Sequence, residues 1–506
     1  MSRAAAIARG VALQVVARVS ALPLAIVTLG VATRYLGEHQ YGVMTTAIVF
    51  VGLFETLTSQ GMGTVIVRRV SGAARSSLAR LVGIDLTLSL VYAVPLALTA
   101  ASVGILTYKE SPETQRAILV LAMGLICSAV ASCFDAVFDV HVKYGPVATA
   151  EFFSRVVTLV AAFTVTFTDA GLLAMCAVQI IPSLIKMIVS GIAANKLTPL
   201  RPVASLDETA SLFKESIPFT LIMLIAVVYW RVDGVLLSLL SDTRQVAAYG
   251  LAYQLAFTLA MLPQVFSRTA LSTINEGYAT DPERFRRAVA NGYRFLMLFA
   301  TPVAVLGIPL SGRLITAIST EEFTETATPV LRLFFIACAI SFLTSIISDA
   351  MVAAHQQRYL TMLSAVNLIV NTALNLVLIP HFGAVGCGIA LIVTELSGVV
   401  FTQLRLRKIG VGPIPLGYLV RLIPGLNLAL LGMLATWSLP VAFPIVAGAI
   451  GYVLGALIGG AIPAEMRNAL TGALKRRSKS EPEPQPDRGD KTIRIPRAQL
   501  PQPPPS

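Results

Sequence analysis

Runs of about twenty apolar residues recur along nearly the whole chain, and they decide its class. A helix needs about 20 residues to cross the hydrocarbon of a bilayer. Fourteen stretches qualify: roughly 11–31, 42–62, 81–106, 117–140, 147–168, 171–194, 216–239, 246–271, 293–318, 327–353, 359–379, 384–404, 416–438 and 440–462. The last two are divided only by Leu439-Pro440. Of the 506 residues 55% are hydrophobic and 13% charged, with mean hydropathy +0.75. A soluble domain carries about 25% charged residues, and a disordered chain is far less hydrophobic. Both classes are excluded, and an all-α polytopic membrane protein of about 14 spans is predicted. The first run includes Arg18 and is too long for a signal-peptide core, so it reads as a spanning helix.

The net charge of +12 could point to nucleic acid. Its distribution gives a different meaning. With the N-terminus inside, the short cytoplasmic loops before residue 463 hold 20 Lys and Arg, and the opposite side holds 6. That bias is a positive-inside signal. It predicts an even number of spans with both termini in the cytoplasm, and no nucleic-acid partner. The five cysteines (Cys127, Cys133, Cys176, Cys338, Cys387) lie in apolar runs and read as small buried side chains.

Three cytoplasmic segments carry further expectations. In 272–292, Asp281-Pro282 forms a helix N-cap and first turn, and Arg284, Arg286 and Arg287 follow. A short basic interfacial helix is expected there. Residues 463–477 are amphipathic and expected on the membrane surface. From Ser478 the Pro-rich tail is expected to be disordered, and its Arg488-Gly489-Asp490 triplet to be chance.

The chain also repeats itself. Asp135-Ala136, His141, Lys143 and Tyr144 recur as Asp349-Ala350, His355, Arg358 and Tyr359. Tyr41-Gly42 recurs as Tyr249-Gly250, and Gly171 with Cys176 resembles Gly383 with Cys387. Six spans per repeat is even, so the halves share one orientation and enclose a cleft, as in parallel-repeat transporters. The expected organisation is a six-helix bundle over 1–195, a cytoplasmic linker over 196–215 and a second bundle over 216–410. Two extra helices over 411–462 and the cytoplasmic segment 463–506 complete it.

Charges inside the spans are costly, so they mark a cavity or a partner. The cations are Arg18, Arg155, Lys186 and Arg231; the acids are Glu55, Asp85, Asp135, Asp139, Glu151, Asp233, Asp349 and Glu395. Arg18 and Glu55 lie at matched depth on consecutive spans, and Glu151 and Arg155 share a helix face at i, i+4. Both pairs are candidates for ion pairing, and Lys186 and Asp85 for snorkelling. Arg18, Arg155 and Arg231 place three guanidinium groups in the membrane. Arginine binds phosphate bidentately and stays charged, so a cavity holding several suits a phosphate-bearing anion. There is no Walker lysine loop, HExxH or GxSxG, so enzyme chemistry is not expected.

RYLGEHQYG (34–42) and SQGMGTVIVRR (59–69) resemble the first two spans of the Wzx-type oligosaccharide flippases. RVDGVLLSLLSDTRQVAAYGLAY (231–253) and NLVLIPHFGAVGCGIALIVTE (375–395) resemble later parts of the same family. That family belongs to the superfamily of multidrug, oligosaccharidyl-lipid and polysaccharide exporters. The resemblance covers about residues 10–410. It implies alternating-access flipping of an undecaprenyl-diphosphate-linked oligosaccharide across a bacterial inner membrane. Arg18, Arg155 and Arg231 would then bind the diphosphate. Glu55, Asp85, Asp135, Asp233, Asp349 and Glu395 would serve proton or sodium coupling or gating, with no cofactor or bound metal. Partners would be the lipid-linked saccharide, membrane lipids, and a polysaccharide polymerase and glycosyltransferases. A lipid II flippase and a multidrug or cation antiporter stay open as alternatives, the latter because acids outnumber bases in the spans. A glycan polymerase would need large external loops, which the spacing of spans excludes. A scaffold would act through the inner face and tail.

Overall fold

A computed structural model describes residues 3–59, 61–71, 77–141, 143 and 145–462, the side chains of 3–19 and a handful of others excepted. The expectations for 463–506 lie outside the described residues, as does the side chain of Arg18. The described chain is helical throughout. The first part comprises α1 (Arg3–Ser59), α2 (Met62–Ser71), α3 (Ser77–Thr107), α4 (Pro112–Cys133), α5 (Asp135–His141), α6 (Gly145–Thr168), α7 (Gly171–Val178) and α8 (Ile181–Leu197). The second comprises α9 (Leu206–Leu240), α10 (Thr243–Phe257), a 3-10 turn (Thr258–Ala260), α11 (Met261–Thr280), α12 (Pro282–Ile318), α13 (Glu322–Ala353), α14 (Gln357–Phe382) and α15 (Ala384–Lys408). Two further helices follow, α16 (Tyr418–Ala435) and α17 (Ala442–Ile458).

Among the described residues eleven helices are long and apolar enough to cross a membrane, or twelve if the bent pair within α9 is one span. The first two apolar runs of the sequence are not separate helices joined by a loop. They are the arms of α1, divided at Gly37 alone (φ 67°, ψ 178°). A Cβ disfavours that positive φ, which glycine adopts freely. Thr28 and Thr45, one on each arm, line the same cavity, so the chain doubles back there. The final run is α17, whose 17 residues give about 26 Å of helix.

The segment 272–292 departs from expectation. Asp281 does cap a helix, its side chain accepting from Glu283 N at 2.9 Å, with Pro282 in the first turn. No separate interfacial helix forms. α12 runs on unbroken into the apolar stretch, for 37 residues or about 55 Å against a hydrocarbon core of about 30 Å. The charged turns remain helical, and ion pairs Arg284–Glu276 (2.9 Å) and Arg286–Glu283 (3.1 Å) brace them. The connection expected over 196–215 is shorter in the fold. Helix ends at Leu197 and resumes at Leu206, and Val203 N donates to Gly83 O at 3.1 Å. A Cβ on Gly83 would lie 2.3 Å from Arg201 O, so only glycine lets the connection run this close.

One pattern of neighbours occurs twice. α1 packs on α4 and α6, α3 on α4, and α4 and α6 on α8; later α9 packs on α14, α10 and α12 on α13, and α13 and α14 on α15. Gly171 and Gly383, matched in the sequence repeat, both have positive φ (80° and 55°); Gly171 opens α7 and Gly383 immediately precedes α15. All five cysteines are free, four of them buried, as expected of small apolar side chains.

The two sets meet along α1 and α10 through the other repeated motif. A Cβ on Gly42 would sit 2.0 Å from Thr243 O, and one on Gly250 2.4 Å from Thr45 Cγ2. Tyr41 packs edge-on against Phe323 at 5.9 Å between ring centroids. Polar contacts join the same end: Thr326 Oγ1 donates to Glu38 Oε1 (2.7 Å), Arg244 pairs with Glu38 (3.7 Å) and Arg34 Nη2 donates to Ala317 O (2.6 Å). At the opposite end, Glu215 on α9 pairs with Arg69 and, at 3.1 Å, with Arg68 of α2, while Glu208 pairs with Arg80 of α3 at 3.0 Å. Both side chains are part-exposed (27% and 38%), which limits the pair to the modest contribution of a surface bridge. Arg69→Glu is expected to lower the thermal unfolding temperature, and Arg69→Glu with Glu215→Arg to recover most of the loss. No recovery in the double variant would show that the pair itself contributes little.

Candidate functional site

Where the two sets of helices meet, they leave a cavity of about 240 Å³. α6 contributes Arg155 and α9 contributes Arg231, from opposite sides of the α1–α10 contact. Thr28, Thr45, Gln179 and Gln254 add polar groups to the wall, and Tyr249 and Tyr253 add stacked aromatic faces 5.7 Å apart. The Arg231 guanidinium lies over Gly52 of α1, where a Cβ would come within 3.1 Å of its Cζ. Glycine there lets a planar cation approach the helix backbone. Arg155 and Arg231 are half-buried, and among the described residues no carboxylate lies within 4.0 Å of either guanidinium. The i, i+4 pair expected between Glu151 and Arg155 does not form. Two half-buried guanidinium groups facing one cavity, with no ion pair among the described residues, are set to take up an anion.

The six candidate acids do not gather at one site. Glu55 is exposed on α1 and accepts from Ser128 Oγ at 3.4 Å. Its expected pairing with Arg18 lies outside the described residues. Asp135 opens α5 and pairs with Lys186 at 2.9 Å, so Lys186 is bridged rather than snorkelling. Asp85 is 5% exposed beside Cys133, which also removes it from the snorkelling group. Asp349 is half-buried near Ser267, with Oδ2 unpartnered among the described residues. Asp233 is 2% exposed, one helical position from Gly234, which packs on Val49 of α1 and on Tyr249. Its Oδ1 has no hydrogen-bond partner among the described residues.

Glu395 belongs to a second cavity, of about 410 Å³, inside the later set of helices. Tyr229 Oη donates to its Oε1 at 3.1 Å and Thr344 Oγ1 to its Oε2 at 3.0 Å. Sequence reasoning found the carboxylate but neither donor. It also missed a stripe of buried asparagines on α14, Asn367, Asn371 and Asn375. Asn375 Nδ2 donates to Asn371 Oδ1 at 2.9 Å, Asn371 reaches Thr394 Oγ1 at 3.4 Å, and Asn367 Nδ2 donates to Thr394 O at 3.3 Å. Spacing of i, i+4, i+8 in an apolar run was the available signal, since membrane helices use such amides to bind neighbours. Among the described residues no cluster of three or more His, Cys, Asp or Glu could hold a metal ion.

A membrane-embedded helical protein with a duplicated packing pattern and a central cationic cavity is the class these features define. The profile of the polysaccharide biosynthesis protein family matches residues 31–328, and the chain belongs to that family. Its fold is shared with solved structures described as transporters of the MOP superfamily. The structure of the lipid II flippase MurJ in an inward closed conformation superposes with TM-score 0.74 at 14% identity, covering 88% of this chain and 98% of that one. An inward-facing multidrug resistance MATE transporter gives 0.62 at 12% identity, over 78% and 98% of the two chains. A Pyrococcus furiosus transporter described as having a binding pocket of reverse polarity gives 0.53 at 13% identity, over 79% and 95%. No curated protein sequence matches the chain.

Proposed function

We propose that this protein flips a polyprenyl-diphosphate-linked oligosaccharide from the inner to the outer leaflet for cell-surface polysaccharide synthesis. The observation that carries the reading is the convergence of Arg155 and Arg231 on the central cavity, neither forming an ion pair among the described residues. A diphosphate offers each guanidinium a bidentate contact, while the lipid tail stays in the bilayer. Arg18 is assigned to the same group. The 20-to-6 bias of Lys and Arg sets the end bearing Arg68 and Arg69 in the cytoplasm, with both termini. Counting the two arms of α1 separately, α9 as one span and α17 as another gives fourteen passes, arranged as two six-helix halves and a final pair. The bonds around Gly42 then close the outer end. Moving two negative charges outward is favoured by about 4–5 kcal/mol per 100 mV, inside negative.

Ion coupling is assigned chiefly to Asp233, beside the cavity and with an unpartnered carboxylate oxygen. Asp233→Asn is expected to leave diphosphate binding intact and to remove the dependence of flipping on an imposed proton or sodium gradient in proteoliposomes. Unchanged gradient dependence would assign coupling elsewhere. A second reading has lipid II as cargo, favoured by the superposition of 88% of the chain on a protein described as a lipid II flippase. Both cargos present a diphosphate. Flipping assays in proteoliposomes with purified lipid II and with lipid-linked oligosaccharide from the source membranes separate them. Transport of lipid II alone would overturn the favoured reading.

A further inference from the structure

We propose that the 410 Å³ chamber inside the later set of helices is a carbohydrate subsite, which receives the first sugars of the cargo while its diphosphate rests on Arg155 and Arg231. The inference rests on the function just proposed and adds a second site to it. Three observations support it.

The first is position. Trp230 lines both the chamber and the central cavity, and it directly precedes Arg231. A saccharide joined to a diphosphate at Arg231 therefore has its first units beside this aromatic wall. Trp230 is held edge-on between Tyr229 (5.6 Å) and Phe257 (5.6 Å), so its face is fixed in place.

The second is chemistry. Among the described residues no Lys or Arg lines the chamber, which sets it apart from the phosphate site. Its wall presents hydroxyls (Thr344, Ser348, Ser364), amides (Gln264, Asn367) and the Glu395 carboxylate, together with the rings of Tyr229 and Trp230. Hydroxyls and amides both donate and accept, which is what the hydroxyls of a pyranose demand. Aromatic faces suit its C–H face, and the Glu395 carboxylate, already accepting from Tyr229 and Thr344, keeps a lone pair on each oxygen for a sugar hydroxyl.

The third is size. A chamber of this volume lies in the range of small-molecule pockets, about 300–1,000 Å³. A bare cation wants a close cage, with about six to eight oxygens for calcium. Here one carboxylate already receives two hydroxyl donors, from Tyr229 and Thr344. A mainly apolar wall carrying a few convergent polar groups is the form that small-molecule sites take.

The test compares two probes on the full-length protein in nanodiscs. One is lipid-linked saccharide extracted from the source membranes; the other is the same material trimmed to undecaprenyl diphosphate. Ser348→Phe and Ser364→Phe each place a ring in the chamber without touching either arginine. The native protein is expected to bind the glycosylated probe more tightly. Each variant should lose about tenfold or more for that probe, the equivalent of one or two hydrogen bonds, and bind undecaprenyl diphosphate unchanged. Retained binding of the trimmed probe also shows that the variant is folded. Equal loss of both probes, or no loss of either, overturns the subsite. So does loss of sodium or proton dependence with saccharide affinity unchanged, which would make the chamber an ion site. Failure of the native protein to bind either probe removes the flippase reading itself, and the subsite with it.

Discussion

Arg155→Ala combined with Arg231→Ala is expected to abolish flipping while the protein still inserts and folds. Each arginine faces the central cavity, and among the described residues neither forms an ion pair; the charge that feels the loss of Arg231 is the buried Asp233, two residues along α9. Their loss should therefore cost cargo affinity far more than stability. Truncating one partner of a desolvated charged contact costs about 2–5 kcal/mol, so each single variant should weaken diphosphate binding about thirtyfold or more. The double variant should fall below detection. Binding of undecaprenyl diphosphate to purified protein, with thermal unfolding as the control, separates loss of affinity from loss of fold. Full flipping by the double variant would remove the arginine site. Arg155→Lys and Arg231→Lys should restore charge but only part of the affinity, because an ammonium cannot make the bidentate contact.

Gly42→Leu should be nearly as damaging, by another route. Even the first carbon of a side chain at Gly42 would overlap Thr243 O, and at Gly250 it would press on Thr45. Neither neighbour can give way easily, the first being backbone within a helix. The two sets of helices must then part at this end, an overpacking that costs about 1–3 kcal/mol and is relieved only in the separated arrangement. The expected result is a protein trapped open toward the outside. Ala247→Cys on α10, fully covered in the structure, should become reactive to a membrane-impermeant maleimide only when Gly42→Leu is present. Transport should cease. An unreactive cysteine with normal transport would mean that this contact does not have to separate or close.

Much of this was legible in the residues. Apolar length gave the spans because lipid leaves a backbone almost no choice but helix. The Tyr-Gly repeat pointed to paired positions, and those positions form the α1–α10 contact. Arg155 and Arg231 were legible as a type, since cations in apolar runs are rare and must face something. What they face was not, because convergence of helices far apart in sequence depends on packing. Pairings were read less well. Lys186 has Asp135 as partner, and Arg155 does not have Glu151, because neighbouring helices offered better or worse geometry than the helix's own next turn. Gly37 carried no mark distinguishing it from any glycine between apolar runs, yet it replaces an entire loop. The continuity of α12 was missed for the opposite reason: its charged first turns were expected as a separate interfacial helix, and nothing in hydropathy shows that the helix runs on into the span.

The repeated packing order has a consequence for biogenesis. In the later set the first helix, α9, rests on α14, five helices further on, and about 115 residues separate the end of one from the start of the other. At ordinary translation speeds α14 emerges on the order of ten seconds after α9. During that interval Arg231 and Asp233 sit on a helix whose neighbour has not yet been made. A lone charge at mid-bilayer costs about 2.5–3.5 kcal/mol on insertion scales. The nascent chain therefore needs shelter for α9, whether at the insertion machinery or against α1 and α2, which are already in place and pack on it in the finished protein. The first half would act as the assembly template for the second, and synthesis in the reverse order would not be equivalent.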